Sequence, residues 1–234
     1  MIKSLASIKN IKEASLIAGY NFDIIDIKNI DDGPLGYAGN EEVELISNKL
    51  NNRLLSVTAG NSDHPNKDII YERLEFLNSL KIDYIKIGIF NMNHLEMHSI
   101  FLKKAFNLNI KTVGVLFADN NIDINIIKKI CKLDYDGLMI DTVKKSSKST
   151  LDIMGDNLIN SFVSECHKIK KFCGLSGSMQ QNTIEYAMKF KSDFIGFRGA
   201  LCSPNSRDNI ESIQCQNIIK IIKNINQKMY QEAV

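Results

Sequence analysis

Two lysines stand inside stretches that are otherwise typical of buried strands. Lys28 ends residues 22–28, which also carry Asp26, and Lys86 lies within residues 82–88. Both stretches are rich in isoleucine, and a lysine on a core strand is costly unless it is paired or used. Burial and a neighbouring cation both lower the pKa of an amine, which makes it a nucleophile near neutral pH. These residues therefore predict carbonyl chemistry through a Schiff base.

Length and composition limit the classes of protein to which the chain can belong. The 234 residues suit one large domain or two small ones, and 44% hydrophobic residues suffice for a sizeable core. The formal net charge is +2, and the basic residues are scattered along helical stretches rather than collected into a block. We therefore expect neither a nucleic-acid partner nor a membrane partner.

Cysteine usage and the amino-terminal residues favour a cytoplasmic protein. The chain has neither a CxxC motif nor a His/Cys cluster with zinc spacing, so we expect no metal, no cofactor and reduced thiols. No long apolar stretch indicates a signal peptide or a membrane-spanning helix. The cysteines are Cys131, Cys166, Cys173, Cys202 and Cys215.

Short apolar runs alternate with amphipathic stretches along the whole chain. The candidate strands are residues 5–8, 22–28, 54–58, 84–88, 113–117, 137–141, 172–176 and 194–198. The candidate helices are residues 10–18, 41–50, 68–80, 95–106, 121–131, 158–171, 183–190 and 217–229. An eightfold βα alternation at this length is typical of an α/β fold of the TIM (β/α)8 barrel type, and we expect one domain over residues 1–234.

A doubly wound open sheet is the competing fold. Such a sheet usually carries a glycine-rich fingerprint after its first strand, and residues 7–10 have no glycine. Pro34, Pro65 and Pro204 follow candidate strands two, three and eight, in loops that share the catalytic rim of a barrel. No linker or low-complexity segment divides the chain, so we favour the single barrel.

Strand alternation decides which charged residues point into the barrel. On the second strand Asp26 and Lys28 alternate with isoleucines, and Lys86 on the fourth strand and Asp141 on the sixth have the same inward parity. Two lysines and two aspartates thus meet in the upper mouth of one barrel. A structural cluster of ion pairs is the alternative, but such a cluster rarely improves stability over apolar packing. We therefore interpret the four as catalytic residues.

The loops after strands seven and eight have the features of a phosphate site. They contain Gly177 and Ser178, and Arg198 and Gly199. Barrels often bind phosphate at these loops through backbone N–H groups and a short helix. Arg207 is a further candidate donor, although a surface position is the usual one for such an arginine. For Arg198, a core ion pair with one of the inward aspartates is the alternative.

Other charged residues carry weaker signals. Lys144, Lys145 and Lys148 follow the sixth strand, and only their position on the rim makes these loop lysines candidates for binding substrate charge. His64 lies in the rim loop after strand three, whereas the other histidines lie in helical stretches and are interpreted as structural or exposed. No Ser-His-Asp arrangement is supported.

At these positions the sequence resembles the (5-formylfuran-3-yl)methyl phosphate synthase family, which serves methanofuran biosynthesis in methanogens and some methylotrophic bacteria. The similarity runs nearly end to end and keeps its order. The combination of Asp-Ile-Lys-Asn and Tyr-Ile-Lys-Ile-Gly is specific to it. The matching stretches are 23–29, 33, 35–36, 55–58, 83–88, 141–142, 176–178, 196–200 and 202.

The resemblance implies a reaction and assigns the residues of strands two and four. Two molecules of glyceraldehyde 3-phosphate condense, one phosphate is eliminated, and the product cyclises and dehydrates to a furan. The Schiff-base lysine of the family falls on Lys28, its partner aspartate on Asp26, and its second active-site lysine on Lys86.

Three further positions follow from the resemblance. A later aspartate and lysine of the family fall on Asp141 and Lys145, which we count among the catalytic residues. A family lysine at the start of the third strand corresponds to Arg53 here. Arginine keeps the charge but cannot act as a base or form an imine, so we assign Arg53 to phosphate binding.

The residues and the resemblance agree on the class of mechanism. An iminium on Lys28 serves as the electron sink, which makes a Lewis-acid metal unnecessary. The expected partners are a phosphorylated triose and further copies of the same chain. Two alternatives stay open: another Schiff-base aldolase or triose-phosphate isomerase-like barrel, and a silent phosphosugar-binding scaffold.

Overall fold

The chain folds into a closed barrel of eight parallel strands in a computed structural model that describes residues 1–144, 148–204 and 206–231. Each strand pairs with the next, and β1 also pairs with β8, which closes the ring. The predicted TIM barrel is therefore confirmed. Strands β1 to β8 are Lys3–Ile8, Ile24–Ile27, Leu54–Thr58, Tyr84–Gly88, Lys111–Phe117, Gly137–Asp141, Phe172–Leu175 and Phe194–Phe197.

A helix follows every strand and packs outside the barrel. None of the helices in the described part of the chain is long and apolar enough to cross a lipid bilayer. Helices α1 to α8 are Ile11–Ile17, Asn40–Lys49, Lys67–Ser79, Leu95–Asn107, Ile124–Cys131, Thr150–Lys168, Ile184–Met188 and Ser212–Gln231. Short 3₁₀ turns lie at Met92–His94, Gln181–Thr183 and Gly199–Leu201.

Helix α6 differs most from the prediction, because it begins at Thr150 rather than at residue 158. Ser149 and Asp152 form a capping box, in which each side chain accepts from the backbone N–H of the other residue. Gly155 then takes a φ of 68°, which kinks the helix and interrupts the apolar period. The prediction followed only the regular pattern beyond this kink.

Strand alternation separates an outer core from an inner one. The isoleucines that alternate with the inward lysines, such as Ile25 and Ile85, pack with the helices in the outer core, which confirms the predicted parity. The inner core contains Leu5, Val115 and Met139, together with aromatic rings in the amino-terminal half of the barrel. At the carboxyl ends of the strands, stacked Phe90 and Phe117 share the interior with the polar residues.

Four aspartates fasten the amino-terminal end of the barrel. Each immediately precedes an even-numbered strand, and its Oδ2 accepts the backbone N–H of the odd-numbered strand before it. These carboxylate clamps tie the strands two by two and divide the barrel into quarters. The pairs are Asp23 with Ser4 at 2.7 Å, Asp83 with Leu55 at 2.8 Å, Asp136 with Thr112 at 2.7 Å, and Asp193 with Cys173 at 2.7 Å.

The clamps predict a measurable loss of stability on substitution. We expect Asp83→Ala to lower the free energy of unfolding by about 1–3 kcal/mol, because it removes the acceptor of the N–H of the buried residue Leu55. Urea unfolding measures the change. The matched control is Asp134→Ala, which alters an exposed aspartate and should stay within about 0.5 kcal/mol of the parent. Equal losses in the two variants would contradict a role for the clamp.

Candidate active site

Asp26 and Lys86 form an ion pair inside the barrel. Their side chains are 0% and 2% exposed, and Nζ of Lys86 lies 2.6 Å from Oδ2 of Asp26. The register places Asp26 between Ser7 on β1 and Ser56 on β3. Ser7 Oγ donates to Oδ2 at 2.8 Å, and Ser56 Oγ donates to Oδ1 at 2.5 Å. Both carboxylate oxygens of Asp26 are therefore occupied, and the buried cation of Lys86 is compensated.

Lys28 follows Asp26 on the inward side, at the carboxyl end of β2. Its side chain is buried, and Nζ donates to the carbonyl oxygen of Pro34 at 3.3 Å. The loop that supplies this carbonyl folds back because the N–H of Asn29 donates to the carbonyl of Gly36 at 2.8 Å. A Cβ at Gly36 would clash with backbone oxygens of that loop, so glycine is required there. The loop between β2 and α2 thus covers Lys28.

One cavity joins Lys28 to the predicted phosphate loops. Asp141 lies in it, at the end of β6, where its Oδ1 accepts the N–H of Thr142 at 2.7 Å. The structure therefore brings together residues from strands two, six, seven and eight. The predicted site residues that line the cavity are Lys28, Asp141, Gly177, Ser178, Arg198 and Gly199.

The loop after β7 has an unusual backbone. Gly177 and Ser178 have φ angles of 89° and 50°, both in the left-handed region. A Cβ at Gly177 would clash with Thr150, whose N–H donates to the carbonyl of Gly177 at 3.1 Å. A non-glycine residue such as Ser178 is held in this conformation at a cost, and such strain is found mostly at functional sites.

Arg198 is fixed by partners from distant parts of the chain. Its Nη1 and Nη2 donate to Oε2 and Oε1 of Glu13 at 2.5 Å and 2.9 Å, and both side chains are buried. Nη2 also donates to the carbonyls of Arg207 and Asp208 at 2.8 Å and 2.9 Å. The alternative of an ion pair with an inward aspartate is wrong, because the partner is Glu13 on α1. Nε of this buried guanidinium has no hydrogen-bond partner among the described residues.

Arg207, which the sequence suggested only as a further candidate donor for phosphate, lies at the cavity. It is half-buried and lines the cavity, and its Nη1 lies 3.1 Å from the position that a Cβ on Gly199 would take. Burial lowers the pKa of Arg207, and attraction to the Asp141 carboxylate opposes that shift. A glycine at position 199 therefore gives Arg207 access to the cavity. Arg207 follows the end of β8 by ten residues, so the sequence did not show that its side chain reaches the cavity.

Three predicted site residues that the structure describes, Asp26, Lys86 and Arg53, do not line this cavity. Arg53 lies at the amino-terminal end of β3, where its Nη2 donates to the carbonyls of Tyr20 and Phe22 at 3.0 Å and 2.5 Å. That is the opposite end of the barrel from Lys28, so the geometry does not support the assignment of Arg53 to phosphate binding. Lys145 lies outside the described residues.

Metal-ligating side chains are gathered elsewhere in the molecule. Among the described residues, the one group of three potential ligands comprises His167, Cys173 and Asp193, at the amino-terminal end of the barrel. The spacing of these residues matches no common zinc motif, so the sequence did not reveal the group. None of the three lines the cavity around Lys28.

Comparison with known proteins identifies relatives over nearly the whole chain. The family model described as 4-HFC-P synthase matches residues 4–222. The (5-formylfuran-3-yl)methyl phosphate synthase of Methanococcus aeolicus is 30% identical over 233 residues, covering 94% of this chain and 97% of that protein. The enzyme of the same name from Methanocaldococcus jannaschii is 28% identical over 221 residues, covering 89% and 92%.

Solved structures of low identity share the fold alone. Phosphoribosyl anthranilate isomerase from Thermus thermophilus superposes with a TM-score of 0.67 at 8% identity, covering 96% of this chain and 100% of that one. The 3-hexulose-6-phosphate synthase from Salmonella typhimurium gives 0.66 at 12% identity, with the same coverage. Both support the barrel assignment.

The buried ion pair predicts that replacing one partner alone destabilises the protein more than replacing both partners. We expect Lys86→Met to lower the free energy of unfolding by about 3–5 kcal/mol, because it leaves the carboxylate of Asp26 buried without its cation. Adding Asp26→Asn should restore part of that loss. The control, Lys104→Met, breaks a more exposed pair with Glu75 and should cost less than about 1 kcal/mol. Equal costs for the two lysine variants, measured by chemical denaturation, would refute the compensation of Lys86 by Asp26.

Proposed function

Because the chain belongs to the 4-HFC-P synthase family, we propose that it makes (5-formylfuran-3-yl)methyl phosphate from two molecules of glyceraldehyde 3-phosphate through an imine on Lys28. The observation that carries the proposal is the shared cavity of Lys28, Asp141 and the loops after β7 and β8. That cavity offers an amine, a carboxylate and an anion site at one place. The same proposal makes the chain an enzyme of methanofuran biosynthesis.

Imine formation is the first step assigned to the cavity. Nζ of Lys28 adds to the aldehyde carbon of one triose, and the carbonyl oxygen leaves as water, which produces an iminium ion. Burial of Lys28 beneath the 29–36 loop excludes bulk water, which otherwise reverses this step. We assign the accompanying proton transfers to Asp141, whose carboxylate shares the cavity.

Carbon–carbon bond formation follows from the electron demand of the iminium. The carbon next to the iminium loses a proton to Asp141, and the resulting enamine expels the phosphate from C3 of the same triose, which leaves an enol. C3 of this enol attacks the C2 carbonyl of the second triose in its ketose form, which proton transfer between C1 and C2 produces from glyceraldehyde 3-phosphate. Water releases the product from Lys28, the C1 hydroxyl of the second triose closes the ring onto the C2 carbonyl of the first, and loss of two waters gives the furan. Atoms balance without an oxidant or reductant.

Asp26 and Lys86 have a supporting role in this proposal. Because both oxygens of Asp26 already accept hydrogen bonds, its carboxylate suits holding Lys86 better than moving protons. Lys86 thereby stays a fixed cation in the interior, below Lys28.

Phosphate binding is assigned to the carboxyl-terminal loops. Gly177, Ser178 and Gly199 permit close approach of a phosphate to the backbone, and Arg207 adds a guanidinium with several donors. Arg198 orders the loop after β8 by tying it to Glu13, and we assign its Nε to the donor set. The proposed contacts fit the phosphate of a triose, and the proposal retains a homo-oligomer as the expected assembly.

Trapping the imine tests the assignment of Lys28. Borohydride added with glyceraldehyde 3-phosphate should reduce the iminium to a stable secondary amine, and peptide mass spectrometry should locate it on Lys28. Lys28→Arg should abolish both the adduct and product formation, whereas the control Lys129→Arg, at an exposed position on α5, should retain them. An adduct on Lys86, or an active enzyme without an adduct, would overturn the assignment. A product lacking the mass and ultraviolet absorption of a furan aldehyde would favour another Schiff-base aldolase.

The two arginines predict opposite phenotypes. Arg207→Ala should weaken inorganic phosphate binding and raise KM for glyceraldehyde 3-phosphate by about 10–100-fold, because it removes a charge-assisted donor, with little change in melting temperature. Arg198→Ala should lower the free energy of unfolding by about 3–5 kcal/mol, because Glu13 loses its buried partner. Isothermal titration and thermal melts separate the two. Unchanged phosphate affinity in Arg207→Ala would move the anion site elsewhere.

A further inference from the structure

The last quarter of the barrel carries an unusual group at its amino-terminal end. His167 stands in the last turn of α6, Cys173 is the second residue of β7, and Asp193 immediately precedes β8. Nε2 of His167 lies 3.1 Å from Oδ2 of Asp193 and 3.7 Å from Sγ of Cys173. All three potential ligand atoms lie within 4.8 Å of one another.

We propose that His167, Cys173 and Asp193 bind a zinc ion. Zinc–sulfur bonds of about 2.3 Å and zinc–nitrogen or zinc–oxygen bonds of about 2.1 Å, at tetrahedral angles, separate nitrogen from sulfur by about 3.6 Å and nitrogen from oxygen by about 3.4 Å. The observed separations of 3.7 Å and 3.1 Å lie within about 0.3 Å of these values. Nitrogen, sulfur and carboxylate oxygen are the donor types that zinc selects in proteins.

The fold holds two of the ligands in place by backbone interactions. Asp193 forms one of the carboxylate clamps, so the N–H of Cys173 already fixes its Oδ2 at 2.7 Å. Cys173 is fully buried on β7, so its Sγ has little conformational freedom. Little rearrangement is needed to complete the site, because only His167 must adjust around an ion placed between the three.

Solvent reaches the group from one side. The side chains of His167 and Asp193 are 42% and 43% exposed, so an ion can enter from water and a water molecule can fill the fourth position. The thiol of Cys173 releases its proton to solvent as the thiolate binds, while the imidazole binds in its neutral form. The ion would join α6, β7 and β8 at the end of the barrel opposite Lys28.

The other three clamps serve as an internal comparison. The residues that donate their N–H groups to Asp23, Asp83 and Asp136 are a serine, a leucine and a threonine. Only the fourth clamp places a thiol beside its carboxylate and adds an imidazole. A requirement for strand fastening alone does not account for this difference, because the other clamps fasten their strands without these groups.

Metal titration of the full chain, first treated with a chelator and dialysed, tests the proposal. We expect one Zn²⁺ per chain by competition with a chromophoric indicator. Co²⁺ used as a probe should give a thiolate-to-metal charge-transfer band. A free Zn²⁺ concentration a hundredfold above Kd should raise the melting temperature by about 5–10 °C. These measurements need no enzymatic activity, so their outcome does not depend on whether the proposed reaction is correct.

Variants locate the ion. His167→Gln and Cys173→Ser should each weaken Zn²⁺ binding at least about 100-fold, since each removes one of three protein ligands. His167 is partly exposed, so its variant keeps the test decisive if Cys173→Ser fails to fold. The control is His64→Gln, which alters an exposed histidine–aspartate pair without a thiol and should bind Zn²⁺ like the parent. Absence of the cobalt charge-transfer band, or parental Zn²⁺ affinity in His167→Gln, would overturn the proposal.

Discussion

Burial of two lysine side chains inside one barrel is the constraint around which the site is arranged. A buried ammonium group is costly unless it is compensated, and the two lysines meet this cost differently. Lys86 is compensated by Asp26 and its two serine donors, so the lower cation is fixed. Lys28 contacts a loop carbonyl and shares its cavity with Asp141. The interior thus provides one paired lysine and, above it, a second lysine that lines the cavity proposed for the substrate.

The proposed reaction gives a reason for the firm attachment of the loop after β8. In that reaction an amine meets its carbonyl carbon in a defined geometry, so the proposed anion site must not move relative to Lys28. Arg198 supplies that rigidity, because its guanidinium links the loop after β8 to α1 and to residues 207–208. Its buried pair with Glu13 therefore connects the chain's first helix to its last loops.

Strand parity accounts for most of what the sequence alone could predict. The barrel, the eight strands and the inward positions of Asp26, Lys28 and Lys86 follow from alternation, which depends only on neighbouring residues. Partners distant in the sequence could not be read in this way: Glu13 meets Arg198 across the barrel seam, and Arg207 reaches the cavity by a returning segment. A residue before a strand can lie at either end of a barrel, and the structure places Arg53 at the lower end.

The carboxylate clamps give the barrel a fourfold internal period. Each quarter closes through its own aspartate, and α8 meets the start of β1 at the same face, where the side-chain amide of Asn226 bonds the N–H and the carbonyl of Ile2 at 3.0 Å each. The seam between β8 and β1 is thus one of four comparable seams between quarters. The architecture is therefore suited to circular permutation at the other three seams, with new ends between quarters and a linker that joins α8 to β1.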